Sequence, residues 1–226
     1  MLSHVVHCFA CVAAVVPFVC LGNSYKAVSE PSAAIAVRVY RLAHVPTSTL
    51  DGAEAEAGKI FEQAGIEISW FHCGNTDKSI KDQAMCSEPA GPAKPVLRIL
   101  SCFRPEPGVI AETVGFANIS ASIANISFDG VSELMPYIAA PRSSVLGLVI
   151  AHEIGHLLIQ TRGHSPLGIM HFPWSPKEMG LANHNLLIFT AEQASAMLAE
   201  LGAQPPDTGL KIEVHSTTTP RFPPRC

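Results

Sequence analysis

The chain has 226 residues, enough for one large domain or two small ones, and 48% of them are hydrophobic, which supplies a sizeable core. Only 15% are charged and the formal net charge is −4. That balance gives no basic footprint for nucleic acid and asks for no polyanionic or polycationic partner.

The chain opens on "MLSHVVHCFACVAAVVPFVCLG", its most apolar run. Positions 12–21 are mostly Val, Ala, Phe and Cys and are broken by Pro17, too short a stretch to span a bilayer, which takes about 20 apolar residues. Residues 1–30 therefore read as a secretory signal peptide, although His4 and His7 stand where Lys or Arg is usual. The expectation is a secreted or periplasmic protein, outside the cytoplasm, with no stable membrane span after cleavage.

Residues 33–45, "AAIAVRVYRLAHV", alternate apolar and polar in their middle, as a half-buried strand does. The next segment, "STLDGAEAEAGKIFEQAG", spaces Leu50, Ala53, Ala57, Ile60, Phe61 and Ala64 as one helical face, and Gly65 is a natural stop. "IEISWF" (66–71) alternates again. A strand, a helix and a strand in that order predict a right-handed crossover with parallel strands.

Residues 72–95 are rich in Gly, Pro, Asp, Lys and Ser and read as a long exposed loop. Without the signal segment, Cys73, Cys86, Cys102 and Cys226 remain, an even number compatible with two disulfides. Cys73 with Cys86 is the favoured bridge, stapling this loop; free buried thiols are the alternative. No C-x-x-C pair is present, which argues against a cysteine zinc knuckle.

"VLRIL" (96–100) is a third strand, and "VGFANISASIANISF" (114–128) carries two short β-favouring runs, expected at the rim of the same sheet. "VSELMPY" starts a short helix that Pro136 ends or bends. Residues 143–160, "SSVLGLVIAHEIGHLLIQ", are apolar nearly all round and predict a central buried helix with Ser143 as its N-cap. "SPKE" (175–178) and "TAEQ" (190–193) carry capping-box spacing and open two further helices, the last reaching about Leu201. Residues 31–202 form one domain with a cleft, and the Pro/Thr-rich residues 203–226 a tail expected to be disordered.

The central helix carries the chemistry. His152 and His156 stand four residues apart, about 40° around the helix axis, so both imidazoles face one point. Each can reach a zinc ion at roughly 2.0–2.1 Å. Glu153 points about 100° away from His152. That direction keeps it off the metal but within reach of a water beside it, whose proton it would take and later give to a leaving amine. Histidine and glutamate are poor choices for an apolar helix unless something satisfies them.

Catalytic zinc usually has three protein ligands. Arg162 is permanently charged and cannot serve, whereas His164 can fold back if Gly163 adopts the left-handed conformation that ends a helix. His171 and His184 are possible substitutes, and Glu178 would be the ligand in a different zincin class.

"HEIGH…GHS…GIM" resembles the metzincin zinc peptidases, whose signature is H-E-x-x-H-x-x-G-x-x-H followed by a Met-turn. The resemblance implies an α+β, zincin-like fold, a small mixed sheet packed on helices around the H-E-x-x-H helix. It implies His152, His156 and His164 as zinc ligands, Glu153 as the base, and Met170 of "SPLGIM" as an apolar floor beneath the metal. The chain departs from the signature at Ile159, where the family has glycine, and its third histidine comes two residues late, giving H-E-x-x-H-x7-H. It also resembles a group of small exported bacterial proteins that pair this motif with a strand–helix–strand start. The function implied is a zinc-dependent endopeptidase acting on a peptide or protein substrate. The alternatives are a catalytically silent zinc-binding module of the same fold and a gluzincin-like hydrolase using Glu178.

Overall fold

The computed structural model describes residues 33–74, 80–102, 114–135, 140–182 and 186–202. The expected signal peptide and tail, and with them His184, Cys226 and Pro136, lie outside these residues.

The first strand, β1 (Ala33–Arg41), leads through α1 (Thr47–Gln63) to β2 (Ile66–Cys73). The two strands pair in parallel, from Ala33 opposite Ile66 to Tyr40 opposite Cys73. Alternation along β1 sends Ile35, Val37 and Val39 to one face, where all three are buried. Gly65, at φ 76°, takes the left-handed turn that ends α1 and starts β2.

The opposite face of β1 carries Arg38 and Tyr40, and residues 80–95 fold over it. Arg38 is buried and donates to the carbonyls of Glu88 and Lys94, while Tyr40 Oη donates to the Cys86 carbonyl at 3.4 Å. A disulfide joins Cys73 to Cys86. The segment read from sequence as an exposed loop thus contains a helix, α2 (Ile80–Ser87). Its local sequence, "IKDQAMCS", has too few apolar residues to mark a helical face; the disulfide and the Tyr40 bond, both at Cys86, anchor it instead, and Arg38 holds the chain just beyond it.

The sheet continues with β3 (Val96–Leu100), β4 (Gly115–Asn118) and β5 (Ile123–Ser127) in the order β2-β1-β3-β5-β4. All pairings are parallel except β4 on β5, which is antiparallel. Of the two runs expected at the rim, only β4 is there; β5 lies between β3 and β4. After β5, Ser127 Oγ accepts from Gly130 N at 3.0 Å and caps α3 (Phe128–Leu134), which begins three residues ahead of the "VSELMPY" run.

The long central helix is α4 (Arg142–Ile159), with every residue from Val145 to Leu158 buried. Pro141, not Ser143, occupies its N-cap, and no side chain caps it. By length and composition α4 passes for a membrane span, but it is mostly buried inside the protein. Small residues let it cross α1 closely. A Cβ built on Gly147 would lie 2.6 Å from Glu56 Cβ and 2.8 Å from the Ala53 carbonyl oxygen, and one on Gly52 2.9 Å from Ser143 Cβ. This crossing lays α4 over β5 and β4.

Two short helices complete the fold, α5 (Pro176–Ala182) and α6 (Ala191–Glu200). Both begin with the reciprocal cap their sequences predict. Ser175 N donates to Glu178 Oε2 at 2.7 Å while Glu178 N donates to Ser175 Oγ at 3.3 Å. Thr190 N donates to Gln193 Oε1 at 2.9 Å while Gln193 N donates to Thr190 Oγ1 at 3.3 Å. Phe189, just before α6, packs on Phe61 of α1 with ring centroids 5.0 Å apart.

Candidate metal centre

His152 and His156 project from the same face of α4 and are 2% and 5% exposed. Each Nδ1 faces a backbone carbonyl: His152 that of Ile169 at 2.8 Å, His156 that of Thr161 at 2.7 Å. A carbonyl only accepts, so each Nδ1 carries the proton and donates it. Burial, then the neighbouring His156, pushes the His152 imidazole down to about 3, so its ring is neutral. The two Nε2 atoms stand 3.1 Å apart, close to the ~3.3 Å that separates two nitrogen ligands on a tetrahedral zinc. Their tautomers turn lone pairs toward a shared point, which is how imidazoles meet a metal ion.

His164 completes the group. Its ring centroid lies 5.2 Å from that of His152 and 5.3 Å from that of His156. One ligand atom from each of the three falls within 4.8 Å of the others. The donor set of three imidazoles, with two oriented by backbone carbonyls, fits zinc.

The turn that returns His164 differs from the sequence expectation. Gly163 does not take a left-handed conformation; Gln160 does, at φ 58° and ψ 34°. With Ile159 in the third place after His156, the helix runs on to that residue before the chain reverses. Gln160 Nε2 donates back to the Leu157 carbonyl at 2.6 Å, satisfying one of the last-turn carbonyls a helix leaves open. The reversal aims the Thr161 carbonyl at His156 Nδ1. Gly163 N–H instead donates to Thr161 Oγ1 at 3.2 Å.

Glu153, 3% exposed, extends from α4 toward Gly115 at the start of β4. Met170, 2% exposed, lies against Gly155; a Cβ there would meet Met170 Sδ and Phe189 Cε1, each at 2.7 Å. The Met170 loop is tied down by Ser165 N donating to the Met170 carbonyl at 2.9 Å and Ile169 N to the Ile188 carbonyl at 2.9 Å. It continues into an aromatic wall. Phe172 lies 5.8 Å from the His152 ring and 5.7 Å from that of His164, and Trp174 lies 5.7 Å from His152. Trp174 Nε1 donates at 3.1 Å to the Ile169 carbonyl that also holds His152. His164 also lines a largely apolar cavity of about 480 Å³ with Ile159, Pro166, Leu167 and Met170 in its wall.

The alternative ligands stand elsewhere. Glu178 is engaged by Ser175 and by His171 Nδ1. Burial pulls its pKa up, but the hydrogen bonds from Ser175 and His171 together outweigh this and hold the carboxyl below its ordinary value. The histidine group contains neither residue. Trp70 packs on the core from β2. Contributors not singled out from sequence include Gln160, Gly115 and the carbonyls of Thr161 and Ile169. Only Gly115 left a trace there, as a glycine opening a β-favouring run.

An α+β domain whose central helix and following turn gather three histidines is thus the class defined by fold and site. No protein-family model matches the chain, and no curated protein matches it in sequence. Among solved structures, it is similar to a zinc-dependent peptidase from Methanocorpusculum labreanum, at 14% identity and a TM-score of 0.46, over 71% of this chain and 99% of that one. Whatever function the chain has must be read from its own residues.

Proposed function

We propose that the chain is an exported zinc-dependent endopeptidase. The observation that carries the reading is the convergence of His152, His156 and His164, with ligand atoms within 4.8 Å of one another and Glu153 beside them on the same helix. Export rests on the apolar opening of the sequence and agrees with the Cys73–Cys86 disulfide, a bond of oxidising compartments.

His152, His156 and His164 would hold the zinc, which would supply a Lewis acid for the scissile carbonyl and lower the pKa of a water. The Ile169 and Thr161 carbonyls hold His152 and His156 in the tautomer that offers Nε2 to the metal. Glu153 takes a proton from the attacking water on its carboxylate and passes it to the departing amine nitrogen. Met170 closes the site below with an apolar surface. Among the described residues β4 ends the sheet, so its open side can pair with an extended substrate backbone.

The test is Glu153→Gln assayed on an unfolded protein substrate. Turnover should vanish while zinc stays bound. Full activity in that variant would sink the reading, and zinc without turnover in the unaltered protein would make the chain a metal-binding module instead.

A further inference from the structure

The face that β4 turns toward α4 is unusually small. Gly115 and Ala117 are the buried residues of the strand, and Phe116 and Asn118 alternate with them. At Gly115 the space a side chain would fill belongs to Glu153. A Cβ built there would lie 2.5 Å from Glu153 Cδ and 2.7 Å from Cγ, and closer still to Oε1. Both backbones behind this contact are fixed. Gly115 pairs with Ile126 in the β4–β5 ladder, and Glu153 stands in the wholly buried stretch of α4.

We propose that Gly115 is a positioning residue for Glu153: its missing side chain leaves the room in which the carboxylate stands, and so sets where Glu153 lies relative to the histidines and the sheet edge. The proposal rests on the peptidase reading for what Glu153 does, though not for where it stands. A methyl group at this position forces the carboxyl carbon back by about 1 Å to reach an ordinary carbon–carbon distance of about 3.5 Å. His152 and His156 are held by the carbonyls of Ile169 and Thr161, neither of which involves β4, so the metal ligands stay in place.

The variant is Gly115→Ala, read by turnover, by zinc stoichiometry and by a stability cycle with Glu153→Ala. A displacement of this size should lower kcat on the order of 10²-fold, with one zinc retained per chain. Alanine restricts the unfolded chain more than glycine does, so the added methyl should leave Tm unchanged or raise it when Glu153 is already truncated to alanine. In the unaltered background the same methyl should lower Tm. Equal Tm shifts in the two backgrounds would overturn the proposal, as would full kcat in Gly115→Ala or loss of its zinc. If the unaltered protein shows no turnover, the peptidase reading fails by itself. The background-dependent shift then supports the positioning of Glu153, and its absence overturns it.

Discussion

Gln160 carries the largest departure from local preference near the site. A side chain in the left-handed region costs about 1–2 kcal/mol, and here the residue recovers part of this through its bond to the Leu157 carbonyl. Gln160→Gly should therefore keep the fold and the metal content of the unaltered protein, since glycine adopts that conformation freely. Gln160→Val should destabilise by about 1–2 kcal/mol or more, because a β-branched residue resists positive φ and offers no donor. Denaturant midpoints measured on the two variants check this; a valine variant as stable as the glycine one would contradict it. His152, Glu153 and His156 were legible in the sequence because helical spacing alone puts them on neighbouring faces. His164 was legible as a residue, but its route back was not. Sequence preference points to the nearest glycine, whereas the length of α4 decides where the chain turns, and that length follows from the burial of its last turn against the core.

Among elements, α1 packs closely on the helix that carries His152 and His156, with Gly147 at the crossing. An alanine in place of glycine inside a helix ordinarily stabilises by about 1 kcal/mol. Gly147→Ala should reverse that sign and cost about 1–3 kcal/mol, because its Cβ would press on the Ala53 carbonyl and on Glu56. Thermal or denaturant unfolding of this single variant reads the sign directly, and a gain in stability would mean the crossing is looser than the structure has it. Several elements were readable in order: β1, α1 and β2 through alternation or helical spacing, β3 through a short apolar run, and the starts of α5 and α6 through a reciprocal cap. α2 was not. Its eight residues lack an apolar face, and what anchors them is tertiary: Cys86 is bridged to Cys73, its carbonyl accepts from Tyr40 Oη, and Arg38 holds the Glu88 carbonyl just past the helix end.

For the whole molecule, the sheet is clad differently on its two faces. α1 and α4 cover one, and the site grows from α4. Residues 80–95 cover part of the other, pinned by the Cys73–Cys86 bond across a sequence separation of 13. Closing a loop of that size restrains the unfolded chain by about 3 kcal/mol. Reduction, or the Cys73→Ser/Cys86→Ser double variant, should lower stability by roughly that amount while leaving zinc bound, since the bridge lies apart from the histidines. Loss of zinc on reduction alone would contradict this separation. The central claim is that three histidines, and no carboxylate, hold the metal. Zinc content measured side by side on the unaltered protein, His164→Ala and Glu178→Ala tests it most directly. The account predicts one zinc per chain in the unaltered protein and in Glu178→Ala, and little or none in His164→Ala; full zinc in His164→Ala, or its loss in a folded Glu178→Ala, would contradict it.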